Sequence, residues 1–225
     1  MLIGEARWLA TQIGQIESGR LFPMLNVGSQ TEEFRMVDQP WIDEFIFGPL
    51  KERGLQVKHL DLQAGQGVDI VGDLSDSKFL AEIKKMSFSS VFCSNLFEHV
   101  VNREEIARLL TEVVPSGGFI ILSVPYKFPY HPDPIDTMFR PSPEELATLF
   151  PNTTIWKKDV VRGGNLTTYV LQKFARHPTR TIRRLFAQRK ARKSSVDTQD
   201  GGQLRSLVPW LIRTFEVTCL ILQKQ

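Results

Sequence analysis

The chain has 225 residues, 42% of them hydrophobic and 24% charged, with a formal net charge of +3. That is enough apolar material for one ordinary domain with a real core, and no apolar run approaches the roughly 18 residues that span a bilayer. Two cysteines make no disulfide framework, and the N-terminus carries Glu5 and Arg7 without a long apolar run, so the reading is a cytoplasmic protein without a signal peptide.

From Gly4 to Gly19, Ala6, Leu9, Ala10, Ile13 and Ile16 recur near helical spacing and predict a packing helix. Met24-Leu25-Asn26-Val27 reads as a first strand, stopped by Gly28. After an irregular stretch, Asp38 can cap a helix that holds Pro40 early and shows Ile42, Phe45, Ile46 and Leu50 as its apolar stripe. Val57 to Leu60 predicts a second strand ending at Asp61, and Val68 to Val71 a third ending near Asp73. Ser75 to Lys85 reads as a helix with Phe79, Leu80 and Ile83 inward. Ser90 to Cys93 is the fourth strand and leads to Ser94-Asn95. Asn102, with Glu105 three residues on, is an N-cap signature for a helix carrying Ile106, Leu109, Leu110 and Val113. Ser116-Gly117-Gly118 turns the chain into a fifth strand, Phe119 to Val124, apolar on both faces and therefore central. Ser142-Pro143-Glu144-Glu145 starts another helix, and Ile155 to Val161 and Phe215 to Leu222 are candidate edge strands.

Strands alternating with helices predict an α/β fold, a doubly wound and mostly parallel sheet of seven strands covered on both faces. The expected organisation is one domain, with its core at about 20–161 and 213–225 and a basic helical insertion at about 162–212. In such a sheet, ligands sit outside the carboxyl ends of the strands. Gly28, Asp61, Asp73 and Asn95 would then face one crevice, a set suited to a small molecule rich in hydroxyls and amines.

Charge is distributed unevenly. Val160 to Val196 contains no Asp or Glu but carries Arg162, Lys173, Arg176, Arg180, Arg183, Arg184, Arg189, Lys190, Arg192 and Lys193. The remainder is net acidic, which suggests an acidic core with a basic appendage. Leu166, Tyr169, Val170 and Phe174 repeat at helical spacing behind Asn165 as cap. The plain reading is a solvated helical insertion; a basic amphipathic helix from Arg176 to Lys193 also suits an anionic membrane surface or an acidic substrate, with nucleic acid less favoured.

The order of motifs resembles the class I S-adenosylmethionine-dependent methyltransferases, especially the type 11 branch. The resemblance runs from about Leu25 to Phe150 and is carried by Phe97-Glu98-His99-Val100 after the fourth strand and Pro115-Ser116-Gly117-Gly118 before the fifth. His131, Asp136 and Arg140 in the next loop complete it. It implies a Rossmann-like methyltransferase fold with S-adenosyl-L-methionine as cofactor, and methyl transfer to an oxygen or nitrogen of a small-molecule or glycan-like acceptor. It implies that Gly28 lets the backbone approach the methionine moiety and that Asp61 accepts from the ribose hydroxyls. Asp73 and Leu74 would meet the adenine, and Asn95 the wall near the sulfonium. One departure stands out: where the family repeats glycines, this chain reads Gly28-Ser29-Gln30-Thr31 and delays its first helix to about Pro40. Ser29 is small enough for close approach, and its hydroxyl suits the cofactor carboxylate; the same change also fits weakened binding.

Several readings stay open at this point. Asp61 and Asp73 also suit plain strand-end turns, and Glu98 a helix-start acid. His131, in a loop stiffened by Pro125, Pro129, Pro132 and Pro134, suits a catalytic base; it equally suits a structural imidazole bonded to Asp133 or Asp136 beside Arg140. Tyr126, Phe128 and Tyr130 suit an aromatic lid or simple packing. The spacing of His, Cys and acids suggests no metal. The competing functions are a catalytically inactive binding or scaffold relative and, against the missing G-x-G-x-x-G, a nicotinamide-dependent dehydrogenase.

Overall fold

Strands and helices alternate along the chain, of which the computed structural model describes residues 1–131, 135–168, 170–171 and 208–225. The strands are β1 (Met24–Val27), β2 (Val57–Asp61), β3 (Ile70–Val71), β4 (Ser90–Ser94), β5 (Phe119–Lys127), β6 (Thr153–Arg162) and β7 (Glu216–Lys224). The helices are α1 (Ile3–Ile13), α2 (Ser18–Leu21), α3 (Gly48–Glu52), α4 (Ser77–Lys85), α5 (Arg103–Val113) and α6 (Pro143–Ala147). One compact unit comprises Met1–Val161 with Glu216–Gln225, and a second comprises Arg162–Phe215. In the second, Asn165 Oδ1 accepts from the Thr168 N–H at 2.9 Å and starts a helical turn. The basic stretch Arg176 to Lys193 lies outside the described residues. No helix among the described residues is long and apolar enough to cross a membrane.

The strands form one sheet in the order β3-β2-β1-β4-β5-β7-β6. β1 runs parallel to both β2 and β4, β4 is parallel to β5, and β7 is antiparallel to β5. The order reverses between β1 and β4, which is where a doubly wound sheet is expected to place its ligand crevice. Burial explains the arrangement. Leu25, Val27, Val91, Cys93, Ile120 and Leu122 pack in one cluster with Leu80 and Ile83 of α4 and Ala107, Leu110 and Val113 of α5. Each of the buried Val, Leu and Ile side chains contributes roughly 1.5–3 kcal/mol when removed from water. Ala6, Leu9 and Ile13, one stripe of α1, are buried as well. Cys93 sits in this core, and burial pushes its thiol well above the usual range.

Local chemistry sets the helix starts. Asp76 accepts from the Lys78 and Phe79 N–H groups at the head of α4. Ser142 and Glu145 cap α6 reciprocally, as the Ser-x-x-Glu pattern predicts. α5 begins after Asn102, but that side chain donates to Glu105 Oε2 at 2.6 Å instead of capping the backbone.

Three expectations change. The helix expected from about Pro40 is present over 41–52, with Ile42, Ile46 and Leu50 buried. A separate helical segment precedes it from Glu32, where Thr31 Oγ1 accepts from the Phe34 N–H at 3.3 Å. Asp38 therefore ends a wide π-turn, Phe34–Asp38, and does not cap; a second such turn, Asp43–Phe47, runs into α3. The Thr31-Glu32-Glu33 run, a capping hydroxyl followed by acids, was the start signal for that added segment. β7 is not an edge strand: it lies between β5 and β6 with Val217 to Leu222 all buried. An apolar run reads the same wherever it falls in chain order, and here it is covered on both faces. β3 keeps only Ile70–Val71, because Val68 turns back to Gly65.

Candidate active-site crevice

At the β1 and β2 end, the parallel register pairs Val27 with Leu60, which brings Gly28 level with Asp61. Gly28 has φ +69°, left-handed backbone that a side chain resists. A Cβ there would meet Leu96 Cδ1 at 3.4 Å, an ordinary contact, so the need for glycine is conformational. Ser29 is buried and its Oγ donates to the Gln30 carbonyl at 3.1 Å. Asp61 Oδ2 accepts from the Gln30 N–H at 2.8 Å, and Oδ1 from the Gln63 N–H at 3.1 Å. The carboxylate thus ties the loop after β1 to its own strand end, and each oxygen keeps a second lone pair.

Arg35 closes the same corner. It is buried, and its guanidinium donates to the carbonyls of Ser29 (3.0 Å), Gln30 (2.5 Å) and Gly67 (2.7 Å). Burial lowers its pKa, against the pull of Glu32, Asp43, Asp69 and Asp61. The loop after β2 lies hard against this segment: a Cβ on Gly67 would stand 2.5 Å from Glu32 Cβ, and one on Gly65 2.7 Å from Thr31 Cγ2. Next to it, His59 Nδ1 lies 3.0 Å from Asn26 Nδ2, and burial lowers the imidazole pKa to about 4. Asp73 is exposed and its Oδ1 accepts from the Ser75 N–H at 2.8 Å, a turn geometry, while Leu74 is buried in the core cluster.

The β4 and β5 end is built around two buried acids. Glu5 of α1 is fully buried; its Oε1 accepts from Ser94 Oγ (3.1 Å), Asn95 Nδ2 (2.8 Å) and Ser123 Oγ (2.6 Å), and its Oε2 from the Leu2 N–H (2.8 Å). Asn95 (φ +52°) therefore turns its amide toward α1. Glu98 lies in a 3-10 turn, Phe97–His99, and is 1% exposed. Burial pushes its carboxyl up to about 7, and nearby Glu5 adds to the rise. Glu98 Oε2 has no hydrogen-bond partner among the described residues.

His99 Nδ1 lies 2.7 Å from the Ile135 carbonyl, which can only accept, so Nδ1 carries the proton. Its ring stands edge-on to that of His131, centroids 5.2 Å apart. His131 also meets Phe128 edge-on, and its backbone N–H donates to Asp136 Oδ2 at 3.1 Å. Asp133, the other partner weighed for His131, lies outside the described residues. Asp136 is gripped by Arg140 through both Nη atoms, at 3.0 and 2.6 Å. Burial alone would raise its carboxyl, but hydrogen bonds from Arg140, His131 and Met138 hold it down at about 2. Tyr130 at the loop tip is exposed, and Tyr126 and Phe128 are half-buried.

Of the residues singled out by sequence, Gly28, Ser29 and Asp61 meet at one end, Asn95 and His131 line the other, and Asp73 and Leu74 diverge. Glu5 and Arg35 were missed. Glu5 carried a signal: it shares the apolar stripe of α1 with Leu9 and Ile13, an odd place for an acid.

Among solved structures, coclaurine N-methyltransferase bound to N-methylheliamine and S-adenosylhomocysteine matches with a TM-score of 0.57 and 14% identity, over 96% of this chain and 69% of that one. A S-adenosylmethionine-dependent methyltransferase from Anabaena variabilis matches at 0.56 and 9%, over 99% and 86%. Geranyl diphosphate methyltransferase in complex with S-adenosylmethionine matches at 0.50 and 12%, over 99% and 85%. The fold is the class I methyltransferase fold. No family model matches the sequence, and no curated protein does.

Proposed function

We propose that this chain transfers a methyl group from S-adenosyl-L-methionine to an oxygen or nitrogen of a small-molecule or glycan-like acceptor. The observation that carries the reading is the meeting of left-handed Gly28 with the Asp61 carboxylate beside the strand-order switch of a methyltransferase fold. Neighbours holding S-adenosylmethionine or S-adenosylhomocysteine support the choice of cofactor. The cofactor, when bound, supplies an activated methyl group on a sulfonium. Gly28 and Ser29 admit its methionine end, the open lone pairs of Asp61 accept from the ribose hydroxyls, and exposed Asp73 offers an acceptor for the adenine amine. Asn95, held by Glu5, shapes the wall between the two ends. His131, steadied by Asp136 and Arg140, takes the acceptor's proton. Alignment supplies much of the acceleration in such an in-line displacement, so the base assists and does not dominate. The structural neighbours' small molecules differ: one structure holds N-methylheliamine and another enzyme is named for geranyl diphosphate, so they fix no acceptor here. We place the protein in the cytoplasm, where its two buried free cysteines stay reduced.

A catalytically silent relative is the second reading, favoured by one feature. Asp61 already serves two backbone donors, and Arg35 seals the loops on either side of it. Calorimetry with S-adenosylmethionine, S-adenosylhomocysteine and NAD separates these readings. Micromolar affinity for the first two and none for NAD is expected, with Asp61→Ala weakening both at least about tenfold. A folded protein that binds neither adenosyl compound supports the silent reading, and NAD binding the dehydrogenase. Radiolabelled methyl transfer into a cell extract then tells catalyst from binder.

A further inference from the structure

We propose that Glu98, His99 and His131 form a site for a divalent transition-metal cation at the β4–β5 end of the crevice. One ligand atom from each lies within 4.8 Å of the others. Tetrahedral zinc, with bonds of roughly 2.0–2.1 Å, holds its ligand atoms about 3.4 Å apart, so side-chain rotations that move these atoms by about an ångström close the set. Two further observations point to a ligand. Glu98 Oε2 is buried without a donor, a state strongly disfavoured for a carboxylate unless a cation or proton reaches it. His99 Nδ1 donates to the Ile135 carbonyl at 2.7 Å, which fixes the tautomer and leaves Nε2 as a bare lone pair 3.7 Å from Glu98 Oε1. A ligating imidazole is oriented in this way by a carbonyl behind it.

Charges of both signs lie near Glu98, the N-terminal ammonium and Arg140 as well as Glu5. Glu5 is a second buried carboxylate near Glu98, and Arg140 is committed to Asp136 through both Nη atoms. Two imidazoles with one carboxylate suit zinc, iron(II) or their first-row neighbours better than calcium or magnesium. Three protein ligands leave a coordination position open. If methyl transfer is the reaction, that position suits an acceptor oxygen whose proton the cation loosens to solvent, His131 then serving as ligand in place of base. This last clause rests on the methyltransferase reading; the site itself does not.

The test uses the full chain, free of any affinity tag and stripped with a chelator. Zinc is titrated by calorimetry, and cobalt(II) by visible absorption as a probe of coordination geometry. One equivalent of zinc per chain at micromolar affinity or tighter is expected, with cobalt bands of a low-coordinate site. Glu98→Gln, His99→Ala and His131→Ala should each weaken zinc at least about tenfold, while His59→Gln leaves it unchanged. Thermal melts in chelator verify that each variant is folded, and Glu98→Gln preserves side-chain shape if an alanine variant is not. Absence of saturable binding, or equal affinity in the folded variants, overturns the site. Neither titration involves S-adenosylmethionine, so this failure is distinct from failure of the proposed reaction.

Discussion

The two ends of the crevice are held together by different means. At the β1–β2 end, Arg35 and Asp61 spend their hydrogen bonds on the backbone of the flanking loops, Asp61 joining Gln30 to Gln63 and Arg35 joining Ser29 and Gln30 to Gly67. At the β4–β5 end Glu5 is satisfied four times over, yet Glu98 Oε2 and Arg140 Nε are buried without partners among the described residues. Buried polar atoms are almost always paired, so orphans mark places where something else is expected to bind. The contrast teaches that a self-satisfied wall and a wall with unpaired buried atoms can share the carboxyl end of one sheet: the first is tied by internal bonds, and the second keeps polar capacity in reserve.

The largest blow to this contrast should come from Glu5→Leu. It strands donors from Ser94, Asn95, Ser123 and Leu2 in the core, at a cost of about 4 kcal/mol. Urea denaturation measures it, and a loss below about 1 kcal/mol would mean the acid does not organise that wall. Next is the pH response of the opposite end. His59, facing Arg35, Asp69 and Lys58, has its folded pKa lowered to about 4, so the unfolded chain binds more protons between pH 6.5 and 4. Its contribution is therefore complete above pH 6.5 and falls away as pH drops through that window, on the order of 3 kcal/mol by pH 4. The difference between wild type and His59→Gln in urea midpoints isolates it, since Glu98, raised by burial, contributes with the opposite sign. A flat difference would refute the assignment. The smallest effect is expected from Gly28→Ala, about 1 kcal/mol from left-handed backbone alone, because the added Cβ meets only Leu96 at 3.4 Å. A much larger loss on thermal melting would reveal crowding at the crevice floor.

Periodicity and caps were enough to lay out the sheet. Alternation of apolar strands with striped helices predicts a doubly wound architecture, and Ser142 with Glu145 marks α6 because capping is a contact across three residues. Gly28 and Asp61 were legible for a similar reason, since a strand end puts its last residue at the crevice whatever the neighbours are. Asp38 misled as a cap because it closes an extra helical segment, started by Thr31 beside the loop after β2, that precedes the expected helix.

What the amino-acid order determined by itself is whatever depends on neighbours a few residues apart: strands, helix starts, the positive-φ glycine and the charge asymmetry. Only tertiary structure decided that β7 lies inside the sheet, that Glu5 meets Ser123 and Asn95, and that His131 comes to Glu98 and His99. Those meetings join residues from distant parts of the chain. They are selected by burial and by the need to satisfy polar groups away from water, which no local spacing encodes.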